Sequence, residues 1–214
     1  MADTRRREAF IWVTWLSGLL SGDKQCHYAL WFKAQHKYDR RADARENDLT
    51  VWKGEHAELV RRRAEELVQQ GYHEVTVEHQ NKFFVNGRTA TLSGCPDLRA
   101  RHGTSVRIED GKTGKRRDSD YWQVLLYMLF GPRKPGEEAV SGAVVYRDST
   151  PRLIPAGDAN DATRARAVAL INVGASPTPP LPTPSGMECG RCDIANCPHR
   201  AEDDPGVTIE TEDF

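Results

Sequence analysis

The sequence is poor in several things, and each shortage excludes a class of protein. No apolar stretch approaches the ~20 residues that span a bilayer; the run from Phe10 to Leu20 is broken by Thr14, Ser17 and Gly18. The same run lacks the small-residue cleavage site of a signal peptide. The expectation is a soluble, cytoplasmic protein with no membrane partner, whose five cysteines are not paired as disulfides. Net charge is also missing: 30 Lys and Arg against 31 Asp and Glu leave −1. That argues against broad electrostatic coating of nucleic acid but not against a local basic groove.

What is present fits one domain with appendages. A chain of 214 residues, 38% apolar, is long enough to bury a core. Thr14 is placed to cap a short helix with Trp15, Leu16, Leu19 and Leu20 inward, ending near Gly22. Cys26 and an aromatic stretch (Tyr28, Trp31, Phe32) follow, and 39–50 reads as a charged loop or frayed helix. His56, Leu59, Val60, Arg63 and Leu67 have helical spacing, and Gly71 is a natural stop. Val75, Val77, Phe83 and Val85 read as strand, and Asn86-Gly87 marks a hairpin answered by Thr89 to Leu92. Val106 to Asp110 alternates as a third strand. Ser119 to Phe130 reads as an amphipathic helix, Ala143 to Tyr146 as a strand and Ala162 to Val173 as a helix. The order predicts an α/β domain on a mixed sheet flanked by helices.

One short stretch, GCPDLRARHGTSVRIEDGKTG at 94–114, carries chemistry. Side chains at i and i+2 of a strand share a face, so Asp110 and Lys112 point one way and Glu109 the other. Asp97 follows Pro96 at a strand end or bend, from which an acid can reach the neighbouring strand. Two carboxylates suit a hard divalent cation, Mg²⁺ or Mn²⁺, and a lysine beside them adds a compact charge for a phosphate. An exposed charged hairpin would also explain D-x-K alone; the Pro-Asp step upstream and a helix downstream favour catalysis. On that helix Gln123 and Tyr127 are four apart and share a face. Gln123 fits two roles, a site amide or the closing residue of a capping box with Asp120.

Together, GCPDLRA, IEDGKTG and QVLLY resemble the RecB-like branch of the PD-(D/E)xK nuclease superfamily, which includes the CRISPR-adaptation exonucleases and AddB-type nuclease domains. The resemblance runs from about Thr14 to His199 and implies a restriction-endonuclease-like fold. It implies that Asp97 and Asp110 bind metal, that Lys112 assists the water, and that the Gly111 carbonyl completes coordination, with His56 of GEHAEL as a further ligand. Glu109 matches no ligand of the family, and Glu109→Ala is expected to be mild.

MECGRCDIANCPHR places Cys189, Cys192 and Cys197 within nine positions, with His199 after them, a spacing that favours metal over core packing. Two readings stand: a local structural zinc site completed by His199, or an iron-sulfur cluster with a distant fourth thiolate, Cys26. The iron-sulfur branch of the RecB-like nucleases has one cysteine ahead of the core and three behind, so the resemblance favours a [4Fe-4S] cluster joining the chain's two ends. Cys95 lies inside the nuclease motif and reads as a bystander.

The resulting division is 1–50, an N-terminal helical segment carrying one cluster cysteine; 51–175, the nuclease core; 176–200, a strap whose stretch 176–186 holds five of the twelve prolines, followed by the cysteine cluster; and 201–214, an acidic, disordered tail. Lys115, Arg116 and Arg117 are candidates for phosphate contacts, and Arg61 to Arg63 for a solvated face. The functional expectation is a metal-dependent DNA exonuclease acting on single strands or overhangs, trimming DNA in CRISPR spacer acquisition with the integrase complex as partner. The alternatives are a phage or repair exonuclease, or a DNA-end binding module without cleavage.

Overall fold

The computed structural model describes residues 5–41, 46–147 and 150–201, with 46–51 described by backbone alone. The acidic segment 202–214 lies outside the described residues. The chain runs β1 (Ala9–Trp12), α1 (Val13–Ser21), α2 (His27–Gln35), α3 (Glu46–Gln69), β2 (His73–Val77), β3 (Phe83–Asn86), β4 (Ala90–Gly94), β5 (Leu98–His102), β6 (Ser105–Lys112), α4 (Asp118–Phe130), β7 (Ala139–Tyr146), β8 (Arg152–Ile154), α5 (Asp161–Ala175) and α6 (Gly186–Gly190).

The strands form two mixed sheets where the sequence pattern had implied one. The larger has the order β2-β5-β6-β7-β8 and the smaller β1-β4-β3. Only β6-β7 in the first and β1-β4 in the second are parallel. The hairpin at Asn86-Gly87 exists and belongs to the smaller sheet. Its return strand starts at Ala90, with the Gly87 N–H bonded to the Ala90 carbonyl at 2.9 Å. Thr14 is not a cap: β1 runs straight into α1, whose N-cap is Trp12 and makes no side-chain cap bond. Helices α1 and α3 stop where expected, because Gly22 (φ 84°) and Gly71 (φ 85°) take the left-handed conformation that closes a helix.

Alternation along β6 organises the domain. Val106, Ile108 and Asp110 face α4, while Glu109 and Gly111 face α3. Against α4 the packing is close: a Cβ at Gly142 of β7 would meet Val124 Cγ1 at 2.6 Å and Met128 Sδ at 2.7 Å. This face carries the main core, which runs through α1, α4 and both sheets. A second core, Val60 and Leu67 of α3 on Leu98 and Ala100 of β5, fills the other side.

Glu109 is fully buried and forms a two-bond ion pair with Arg63 of α3 (2.7 and 2.9 Å). Of the Arg61–Arg63 triplet, Arg63 alone is buried, and Arg61 and Arg62 are exposed. The mild outcome expected for Glu109→Ala therefore holds at most for chemistry. Removing one member of a buried pair strands its partner's charge. Glu109→Ala should lower the unfolding free energy by about 3 kcal/mol in urea titrations, the low end for such pairs, since Glu66 still holds Arg63 at 2.7 Å.

Candidate active site

Asp97 stands at the entry to β5 and reaches across to β6, where its Oδ2 accepts the Gly111 N–H at 2.8 Å. Its Oδ1 lies 3.4 Å from Nε2 of His56 on α3. Asp110 comes from the opposite face of β6 and is 2% exposed. Its Oδ1 accepts the Gln123 amide of α4 at 2.9 Å, and its Oδ2 lies 2.6 Å from the Lys112 ammonium. That second contact is an ion pair, and apart from it the buried Asp110 Oδ2 makes no hydrogen bond among the described residues. Gln123 links the group: it accepts from Lys112 Nζ at 3.0 Å and also lies 3.0 Å from the Tyr127 hydroxyl.

The capping alternative for Gln123 does not match the helix as built. Helix α4 begins at Asp118, and the residue that closes its start is Asp120, whose Oδ2 accepts the Arg117 N–H at 3.0 Å. Gln123 stands a turn further on, facing β6.

Burial shapes the electrostatics. It pushes the Asp110 carboxyl above the ordinary carboxylate range, and Lys112 opposes the shift. Burial disfavours the Lys112 ammonium, but the Asp110 charge outweighs that and leaves Lys112 above its usual value. His56 is raised by its bond to Asp97 against the pull of burial. Burial, with the Asp110 charge, lifts Tyr127 well above an ordinary phenol.

Two features fit a hard cation between the carboxylates. Asp110 Oδ2 and His56 Nδ1 are buried with no hydrogen-bond partner, and Gly111 keeps the space between the ligands open. A Cβ there would stand 3.5 Å from His56 Cε1, 3.6 Å from Asp97 Oδ2 and 3.3 Å from Leu59. Two carboxylates, an imidazole and a backbone carbonyl are a donor set suited to Mg²⁺ or Mn²⁺. Among the described residues no three acid, histidine or cysteine side chains already converge as a metal cage. Asp110 is engaged with Lys112 and Gln123, with the charges of Asp97 and His56 close enough to act on it.

Lys115, Arg116 and Arg117 follow β6 and are all exposed. The Arg116 guanidinium lies over the Tyr146 ring, 4.8 Å from its centre. Missed from the sequence was Trp52, 47% exposed, which stacks on His56 with ring centres 5.3 Å apart and planes at 15°. Its i, i+4 spacing from His56 was the available signal.

The cysteines gather away from this site. Cys26, Cys189, Cys192 and Cys197 line one small cavity with Tyr28 and His199. Burial first, and the three neighbouring thiols with it, push the Cys197 thiol up. The two chain segments also meet directly: the Glu188 carboxylate accepts the Cys26 N–H at 3.0 Å and the Gln25 N–H at 3.1 Å. Four thiols on one cavity fit a cluster or a metal chemically. Cys95 is elsewhere, its Sγ donating to the Glu78 carbonyl at 3.2 Å.

A mixed α/β fold whose central strand presents an aspartate and a lysine two residues apart, with a second aspartate entering from the adjacent antiparallel strand, defines the class: a restriction-endonuclease-like domain. The chain belongs to the PD-(D/E)XK nuclease superfamily, whose profile matches residues 16–198. Among solved structures, one titled "Crystal structure of SSO0001" aligns at 15% identity with a TM-score of 0.48, covering 92% of this chain and 90% of that one. No curated protein matches the sequence. Among the described residues no helix is long and apolar enough to cross a membrane.

Proposed function

We propose that the protein is a metal-dependent deoxyribonuclease that attacks single strands or overhangs. The observation that carries the reading is Asp110, a buried carboxylate whose Oδ2 makes no hydrogen bond beyond its ion pair with Lys112 among the described residues. Burying an aspartate is costly, and a carboxylate oxygen paired with one lysine keeps a lone pair that a cation could share. Asp97 and Asp110 would hold Mg²⁺ or Mn²⁺, with His56 and the Gly111 carbonyl completing the set. Bound there, the ion supplies charge stabilisation at the scissile phosphate and lowers the pKa of a water.

The chain's own groups do the rest. Lys112 is held between Asp110 and Gln123, so its charge is fixed where a phosphate oxygen would lie. Gln123 orients both Asp110 and Lys112, and Tyr127 in turn braces Gln123. Lys115, Arg116 and Arg117, exposed beside the exit of β6, take the flanking phosphates.

Two finer parts of the proposal rest on the motif resemblance. Cys26, Cys189, Cys192 and Cys197 hold a [4Fe-4S] cluster, a reading supported by the presence of Cys26 in the same cavity as the triad. The biological task is trimming DNA ends for CRISPR spacer integration, with the integrase complex as partner.

The test is a cleavage assay on end-labelled DNA: a single strand, a duplex with overhangs and a blunt duplex, each with Mg²⁺, Mn²⁺ or EDTA. Progressive shortening of the first two with either metal, abolished by EDTA, is the expected result. Cluster-loaded protein that binds these DNAs but cleaves none of them would instead make it a DNA-end binding module.

A further inference from the structure

A cleft of about 360 Å³ is lined by none of the active-site residues. Its apolar lining is aromatic: Phe10 and Trp12 of β1, Trp15 of α1, and Tyr38. Its polar lining is cationic: Arg6, Lys37 and Arg40. The strand register extends this surface. In β1-β4-β3, Phe10 pairs with Thr91, Trp12 with Ser93, and Ser93 with Phe84. Directly paired residues share a sheet face, so Phe10, Trp12 and Phe84 stand together on the face opposite the core. Phe10 lies 5.5 Å from Trp12 and 6.4 Å from Phe84 between ring centres, and Phe84 is 54% exposed.

Cations sit over these rings. Lys82 Nζ lies 5.6 Å from the Trp12 ring centre and 5.2 Å from that of Phe84, and the Arg6 guanidinium lies 5.9 Å from Phe10. Among the described residues no carboxylate forms an ion pair with Arg6, Lys37 or Lys82, and Arg6 Nε is buried without a hydrogen bond. Two acids stand at the rim among the described residues: Glu8, held to the Thr91 hydroxyl at 3.4 Å, and Asp193, which accepts the Tyr38 hydroxyl at 3.1 Å and is paired with Lys33.

We infer that this sheet face is a stacking platform for single-stranded DNA. The inference rests on the nuclease reading and supplies a binding site separate from the catalytic one. Aromatic rings on a sheet face, interleaved with lysine and arginine, are what unpaired bases and their phosphates require. A duplex hides its base faces and cannot use the rings. The chain connects platform and site: β4 continues through Gly94, Cys95 and Pro96 into Asp97, and the Phe83 ring beside Phe84 meets Tyr127 edge-on at 6.2 Å.

The experiment is fluorescence anisotropy of the full, cluster-loaded protein with a labelled oligothymidylate of ~16 nucleotides in EDTA, repeated with a blunt duplex. Phe84→Ala should weaken oligothymidylate binding about tenfold, leave duplex binding unchanged, and be rescued by Phe84→Tyr. Lys82→Ala should lower the slope of log affinity against log salt by about one. Phe84 is exposed, so Phe84→Ala should melt with the parent, and its hydrolysis of bis(p-nitrophenyl) phosphate, which carries no bases, should equal the parent's. Unchanged oligothymidylate binding by Phe84→Ala, or equal loss for single strand and duplex, overturns the platform and leaves the nuclease reading standing. Platform-dependent binding by a protein that cleaves no DNA does the reverse.

Discussion

Asp110→Asn should give a protein that folds, binds single-stranded DNA, and cleaves it at least ~10³-fold more slowly. The magnitude follows from losing a metal's several kcal/mol of transition-state stabilisation, at ~1.4 kcal/mol per tenfold. The substitution keeps the shape of the side chain and an oxygen for the Gln123 amide. It removes a charge that burial disfavours but also the partner of Lys112. With the Lys112 side chain partly exposed and still bonded to Gln123, urea unfolding of the metal-free protein should show a smaller loss of stability than Glu109→Ala. The neighbouring residue supplies the opposite result. Glu109 faces α3 and Arg63, so Glu109→Ala costs stability while the folded fraction cleaves normally. Full-rate cleavage by Asp110→Asn, or a Glu109→Ala protein that is folded yet inert, would show that the two residues have been given each other's roles.

That separation could be read from the sequence because a strand has a period of two. Asp110 and Lys112 had to share a face and Glu109 had to leave it, whatever the rest of the fold. Asp97 was legible for a similar reason, since a residue after Pro96 at a strand entry can turn toward the next strand. Long-range pairing was not legible. β1 joins β4 in parallel across some eighty residues, pairing Ala9 with Ala90, and no local pattern says which sheet such a strand will enter. Ala9–Trp12, four residues directly ahead of a helix, carry too little pattern of their own to announce a strand. Leu98–His102 was hidden because two of its residues are arginines, and these find carboxylates only through the tertiary fold: Arg99 pairs with Glu137 and Arg101 with Glu74. The buried Arg63–Glu109 pair was invisible for the same reason, since burial of a charge depends on a partner 46 residues away.

Around Gln123 the physics of helix starts decided what spacing left open. Asp120 sits three residues after Arg117 and takes its N–H, while its Oδ2 also accepts the Tyr146 hydroxyl at 3.0 Å. With the helix start occupied, the amide of Gln123 has no backbone donor to close and turns to the charges on β6.

The cysteine cavity carries the second large effect. Anaerobically purified protein should be brown, with about four irons per chain and little zinc. Cys26→Ser should lose the colour as fully as serine at Cys189, Cys192 or Cys197, though Cys26 is far from the triad in sequence. Undocking does not explain such a loss, because the Cys26 backbone N–H stays bonded to Glu188 whatever its side chain, and Lys33 still pairs with Asp193. His199→Ala should keep the iron: an imidazole is needed only in the zinc version, and the His199 ring packs edge-on against Tyr28, 4.7 Å between centres. Cys95→Ser should keep it too. Loss of the cluster should lower the melting temperature by more than ~5 °C. Between Ser176 and Arg200 the chain has only the five-residue α6 as regular helix, and the fully buried Ile194 is held in place by a segment that ligation would order. A colourless protein with one tightly held zinc, indifferent to Cys26→Ser and destroyed by His199→Ala, would replace the cluster with a local zinc site and leave the two chain ends joined by hydrogen bonds and packing alone.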